Sequence, residues 1–180
     1  PASYPQSGNT VYGLTTNESN GDFINGVSTS SVSGITGFDF GGTNGYIQMS
    51  PPPFPQGSNA YTIEALFYPN TIHRGCIFFQ GYRRGQYGYG TCMSMNTWDN
   101  GSMYQIWLFS DTGRGNMYTI NQWNHVTMGM SGSYVYWYKN GVYQGASQMN
   151  GVKGISVQTS GAYLGKGRNE FYFNGEIAFA

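Results

Sequence analysis

Eight side chains could bring a carboxyl group to acid–base chemistry: Glu18, Asp22, Asp39, Glu64, Asp99, Asp111, Glu170 and Glu176. Breaking a glycosidic bond takes two carboxyls held roughly 5 to 9.5 Å apart. On a strand, residues two apart share a face, and no two of these acids stand at that spacing. Glu170 and Glu176 are separated by Phe-Tyr-Phe-Asn-Gly. Distant acids can converge in a fold, but the pattern points away from an active hydrolase, and no enzyme is expected.

The other reactive side chains are as sparse. His125 lies in "WNHVTM" with no Ser or Cys nucleophile motif around it. It reads as a histidine bonded to backbone inside a sandwich. His73, beside Arg74 in a turn region, reads as solvated. Neither has a second His or Cys at zinc-ligand spacing. The stretch "CIFFQGYRRGQYGYGTCMSM" reads as strand, Gly-rich loop, strand, and a hairpin centred on Arg84 sets Cys76 opposite Cys92. An oxidising compartment would permit a cross-strand disulfide there. The tight geometry of directly opposed positions favours free thiols.

Aromatic rings are abundant where charges are not. Aromatic residues make up 17% of the 180-residue chain and charged residues 9%, with a net charge of zero. That balance excludes a phosphate-binding surface for DNA or RNA, which needs clustered Lys and Arg. Trp123 and Trp137 alternate with apolar neighbours and read as core, together with Phe38, Phe40, Ile63 and Phe67. Trp98, in "NTWDNG", falls on a turn, where a large ring is often functional. Tyr82, Tyr87 and Tyr89 surround Arg83 and Arg84 on the long hairpin loop. A sugar could stack on such rings while Arg, Asn and Gln donate hydrogen bonds. Tyr and Arg are also enriched in protein interfaces, and a plain solvated loop tip is the competing reading.

The elements that position these residues are strands. No window of a dozen residues carries apolar positions at three-four spacing, and Gly interrupts nearly every candidate helix. Beside the two strands within 76–95, strand signals recur at 37–40, 45–50, 60–69, 103–110, 125–130, 133–139, 142–147, 162–166 and 175–180. The Asn140-Gly141 pair between two aromatic runs predicts a two-residue hairpin, because a type I′ turn needs positive φ at both central residues. In "YVYWY", Val135 and Trp137 should point into a core. Tyr134, Tyr136 and Tyr138 should face a groove, another layer or a neighbouring subunit. "SPPPFPQG" cannot enter a central sheet and should cross the surface as an extended connection. Residues 1–9 read as an arm or linker, 10–180 as one domain, and the chain as a processed product or part of something longer. About a dozen strands without helices predict a two-layer antiparallel β-sandwich. No apolar stretch approaches a membrane span.

The order of the segments resembles the laminin-G-like branch of the concanavalin A-like lectin/glucanase superfamily. "GFDFGGTNGYIQM", "YTIEALFYPN", "QWNHVTM", "YWYKNGVYQG" and the closing "FNGEIAFA" carry the likeness, from about Val11 to Ala180. Leu66 stands where a Trp is more usual. The resemblance implies a jelly-roll sandwich acting as a binding or adhesion module, and such modules occur in phage and viral structural proteins. It also implies calcium as a possible ligand, with Asp99 and Asp111 as weak candidates; an Asx turn is the simpler account of both. The related glucanases carry closely spaced carboxylates on one strand, which this chain lacks. The expectation is a non-catalytic recognition or structural module of a virion or fibre surface, contacting glycans or neighbouring surface or capsid proteins. A secreted bacterial carbohydrate-binding or adhesion domain is the alternative.

Overall fold

The computed structural model describes residues 8–12, 19–54, 60–81, 92–105, 112–149, 161–167 and 171–180. Fifteen strands form among them: β1 (Thr10–Val11), β2 (Asn20–Ile24), β3 (Ser28–Val32), β4 (Ile35–Asp39), β5 (Tyr46–Ser50), β6 (Tyr61–Pro69), β7 (Gly75–Gly81), β8 (Cys92–Trp98), β9 (Ser102–Gln105), β10 (Thr112–Arg114), β11 (Asn124–Ser131), β12 (Tyr134–Lys139), β13 (Val142–Gln148), β14 (Ala162–Leu164) and β15 (Gly175–Phe179). One short 3-10 turn, Asp99–Gly101, interrupts them. No described helix is long and apolar enough to cross a membrane.

Two antiparallel sheets result. One has eight strands in the order β1-β2-β5-β14-β7-β8-β9-β10, and the other seven, β13-β12-β11-β6-β15-β4-β3. The fold is a two-layer antiparallel β-sandwich, as the strand pattern predicts. Period-2 alternation decides which side chains enter it. On β6, Ile63, Ala65 and Phe67 are buried while Thr62 and Glu64 are exposed. On β11 the buried set is Val126, Met128 and Met130; on β12 it is Val135 and Trp137, both 0% exposed. The eight-stranded sheet answers with Ile47, Ile77, Met95 and Met103. Phe67 and Phe173 meet edge to face at 5.9 Å near the middle, a ring geometry worth about 0.5–1.5 kcal/mol beyond burial.

The Asn140-Gly141 turn forms as expected, with φ of 50° and 77°. Asn140 Oδ1 accepts a hydrogen bond from the His125 amide at 3.3 Å, tying the turn to β11. The described part of the proline segment after β5, residues 51–54, stays outside the sheets, but Phe54 is not a surface residue. Its ring packs edge-on to Phe78 and Tyr61, and the Gln80 side chain bonds both its backbone N–H and its carbonyl.

Three expectations are corrected. Trp123 is not core: it sits half-buried on the outside of the seven-stranded sheet, edge-on to Tyr68, its indole N–H donating to the Val32 carbonyl at 2.9 Å. The adjacent inward position belongs to Asn124, whose amide is satisfied by the backbone of Thr119 and Gln122. Cys76 does not face Cys92. β7 and β8 pair four to five residues away from that register: Cys76 pairs with Asn96 and Cys92 with Gly81, and a bulge between Cys76 and Phe78 accounts for one residue of the shift. The buried Cys76 thiol donates to the Phe78 carbonyl at 3.1 Å. His125 bonds a carboxylate through its ring rather than backbone, as described below.

Candidate functional site

The outer face of the seven-stranded sheet carries a groove of about 440 Å³. Its walls follow from strand register. Tyr136 on β12, Gly129 on β11 and Thr62 on β6 are consecutive partners across three strands. The next row is Tyr138, Thr127 and Glu64, and Tyr134 opposes Ser131 on the other side. Rows lie two residues apart, about 6.8 Å, and β12 and β6 are two strand spacings apart, about 9.5 Å. The tyrosines form one wall, Thr62 and Ala60 the other, and Gly129 lies on the floor between them.

The wall is doubled. Tyr138 leans on Tyr143 at 5.3 Å between ring centroids and Tyr136 on Tyr134 at 6.4 Å, so each groove-lining ring is backed by a second ring. Hydroxyls of Thr62, Thr127 and Ser131 line the same space. Rings with scattered hydroxyls and no charged lining residue give apolar contact plus directional hydrogen bonding, the usual make-up of a small-molecule site. Beside the groove, His125 Nε2 lies 2.5 Å from Glu64 Oε1, both partly exposed, and the Phe179 ring meets the imidazole edge-on.

Trp98 lies elsewhere, at the end of β8, half-buried. The Arg74 guanidinium sits over its ring at 4.1 Å, Phe171 meets it edge-on at 6.1 Å and Tyr104 lies at 5.5 Å. Arg74 Nε is 3.7 Å from the Asp99 carboxylate. Behind them the Tyr118 hydroxyl donates to the Trp98 carbonyl at 2.6 Å. Burial, and then the Asp99 charge, push the Tyr118 phenol up to about 12. Tyr82, Arg83, Arg84, Tyr87, Tyr89 and Asp111 lie outside the described residues. Cys92, the first described residue after them, is six steps along β8 from Trp98, about 20 Å.

Calcium wants six to eight oxygens. At Asp99 the described residues offer one carboxylate, already engaged with Arg74, and no group of three His, Cys, Asp or Glu gathers among them. The fit is poor. One pairing of acids does arise from the fold: Glu176 on β15 is the register partner of Asp39 on β4. Glu176 is 7% exposed, and its Oε2 has no hydrogen-bond partner. Burial, and then the Asp39 charge, raise its pKa above the ordinary carboxyl range. These acids are outside the groove lining.

Residues 40–179 match the family model of the concanavalin A-like lectin/glucanases superfamily, in its laminin G form. The chain belongs to this superfamily. Among solved structures, it resembles the binding domain of Paraclostridial Mosquitocidal Protein 1, at a TM-score of 0.64 and 15% identity, over 93% of this chain and 45% of that one. It also resembles domain 4 of AbnA, a GH43 extracellular arabinanase from Geobacillus stearothermophilus in complex with arabinotriose. There the TM-score is 0.57 and the identity 15%, over 86% of this chain and 73% of that one. A third likeness is to domains LG4-5 of the mouse laminin alpha1 chain, with a TM-score of 0.59 and 10% identity, over 77% of this chain and 39% of that one. The chain thus spans less than half of the mosquitocidal and laminin structures it matches. No curated protein sequence matches it. At these identities the likenesses establish the shared sandwich.

The groove tyrosines were visible in the sequence as the outward half of β12. Gly129 was not, because "HVTMGM" reads as a strand whether or not its glycine has a purpose.

Proposed function

We propose that this domain is a non-catalytic recognition module that binds glycans in the groove on the outer face of the seven-stranded sheet. The observation that carries the reading is the doubled tyrosine wall beside a row of hydroxyls, open to solvent. A sugar presents C–H faces to rings and hydroxyls to Thr and Ser, and this lining offers both. Support for a non-catalytic role is that the lining residues include no carboxylate, whereas hydrolysis needs two. The superfamily includes lectins, and one structural relative carries arabinotriose.

The setting we propose is extracellular, on a virion or fibre surface or as part of a secreted bacterial protein. A chain with 9% charged residues relies on neutral polar groups for its surface, which suits a crowded assembly. Neighbouring surface or capsid proteins are the partners that setting supplies. Trp98, on the other sheet, is proposed as a second contact, and Tyr82, Arg83, Arg84, Tyr87 and Tyr89, outside the described residues, as further ligand contacts.

A glycan array probed with the purified chain tests the reading. Binding that is lost in Tyr136→Ala and Tyr138→Ala, with folding intact by circular dichroism, is the expected result. Binding that survives both changes and vanishes in Trp98→Ala moves the site to the other sheet.

A further inference from the structure

Gly129 sits in the interior of β11, paired on one side with Tyr136 and on the other with Thr62. A glycine there weakens a strand by roughly 0.5–1 kcal/mol relative to alanine. Other described strand glycines have evident reasons. A Cβ would come within 2.5 Å of Ile47 at Gly21, 3.1 Å of the Ile177 backbone at Gly37, 3.0 Å of Thr97 at Gly75 and 2.6 Å of Tyr104 at Gly113. Gly81, Gly145 and Gly175 have φ of 134°, 121° and 142°, which side chains rarely adopt. Gly129 has neither reason. Its φ is not positive, and the nearest atom to an added Cβ is Thr62 Oγ1 at 3.9 Å. Glycine in a strand interior often marks the close approach of a ligand, and here the missing side chain opens the groove floor.

The charges around it narrow the ligand. The outward positions of the three groove strands are Thr62, Glu64 and Leu66 on β6, His125, Thr127 and Ser131 on β11, and the tyrosines of β12. No Lys or Arg is among them, and the one carboxylate at these positions is Glu64, in the row beside Gly129 and bonded to His125. Among the described residues of these strands a sulfated or sialylated sugar would find no Lys or Arg and would meet that carboxylate.

Resting on the reading of the groove as a glycan site, we infer that Gly129 is its specificity-determining residue, seating one uncharged sugar ring against Tyr136, and that the site selects neutral over anionic glycans. The test uses the purified chain, with isothermal titration against neutral di- and trisaccharides of glucose, galactose, mannose and arabinose, and with lactose against α2,3-sialyllactose as a matched pair. The wild type should bind a member of the neutral set and prefer lactose-type ends without sialic acid. Gly129→Leu, which fills the floor, should weaken that binding by at least about tenfold. Gly129→Ala should weaken it less. Both variants should melt at or above the wild-type temperature, which a merely structural glycine would not allow. Neutral binding unchanged in Gly129→Leu, or a preference for sialyllactose, overturns the inference and leaves the glycan reading standing. A wild type that binds no sugar in the panel sinks that reading, and this inference with it.

Discussion

Glu176 and Asp39 face each other across β15 and β4, two acids brought side by side with no cation between them among the described residues. Glu176 is the more buried, and both burial and its neighbour's charge favour its protonated form. The folded state therefore holds this proton more tightly than the unfolded chain does. Its contribution to stability is fully present below the unfolded carboxyl pKa, about 4.3, and is lost as pH rises through the folded value. Glu176→Gln should remove that loss. The variant should be more stable than the wild type near neutral pH and should converge with it in acid. Urea unfolding of both proteins across this range checks the point. A wild type and variant with parallel pH profiles would show that Glu176 titrates alike in the folded and unfolded states.

The two faces of β12 should separate stability from recognition. Trp137 is fully buried, and truncating it leaves a large cavity, so Trp137→Ala should cost about 3–5 kcal/mol. Tyr136 borders the groove, and Tyr136→Ala should cost about 1 kcal/mol or less while removing glycan binding. Denaturant titration paired with binding measurements tests both. Equal losses of stability in the two variants would mean that the tyrosine wall is structural.

That division of β12 was legible because the strand alternates without interruption and ends at a turn whose chemistry fixes its register. Where either cue failed, sequence reading failed with it. The sequence between β7 and β8 offers no two-residue turn signal to pin the register, and the observed pairing sets Cys76 opposite Asn96 and Cys92 opposite Gly81, with one residue of the shift taken up by the bulge at Cys76–Phe78. The apolar alternation around Trp123 points to core, but Asn124 takes the inward position by satisfying its amide on local backbone. The strands Asn20–Ile24 and Ser28–Val32 carry little apolar alternation. They are held near or at sheet edges by backbone pairing, which composition does not reveal. The meeting of Glu176 with Asp39 was equally hidden, since it depends on which strands become neighbours. The tyrosine half of the groove could be read from one strand, but its Gly129 floor required the register of three.

Tyr118 ties the Trp98 end of β8 to the core, and alkaline unfolding should report on it. Its hydroxyl is buried against the Trp98 carbonyl, and its pKa of about 12 stands above the ordinary phenol value of 10.0. The folded state again keeps the proton longer than the unfolded chain. The stabilisation is complete below the unfolded pKa and disappears as pH climbs through the folded one, an effect on the order of 2 kcal/mol. Tyr118→Phe should lose about 1–2 kcal/mol near neutral pH, because the Trp98 carbonyl loses its donor. The variant should then show a shallower decline in alkali than the wild type. Guanidinium unfolding at neutral pH and in increasing alkali, run on both proteins, measures the two slopes. If they are the same, the phenol titrates alike in both states and its bond to Trp98 contributes nothing to the alkaline limb.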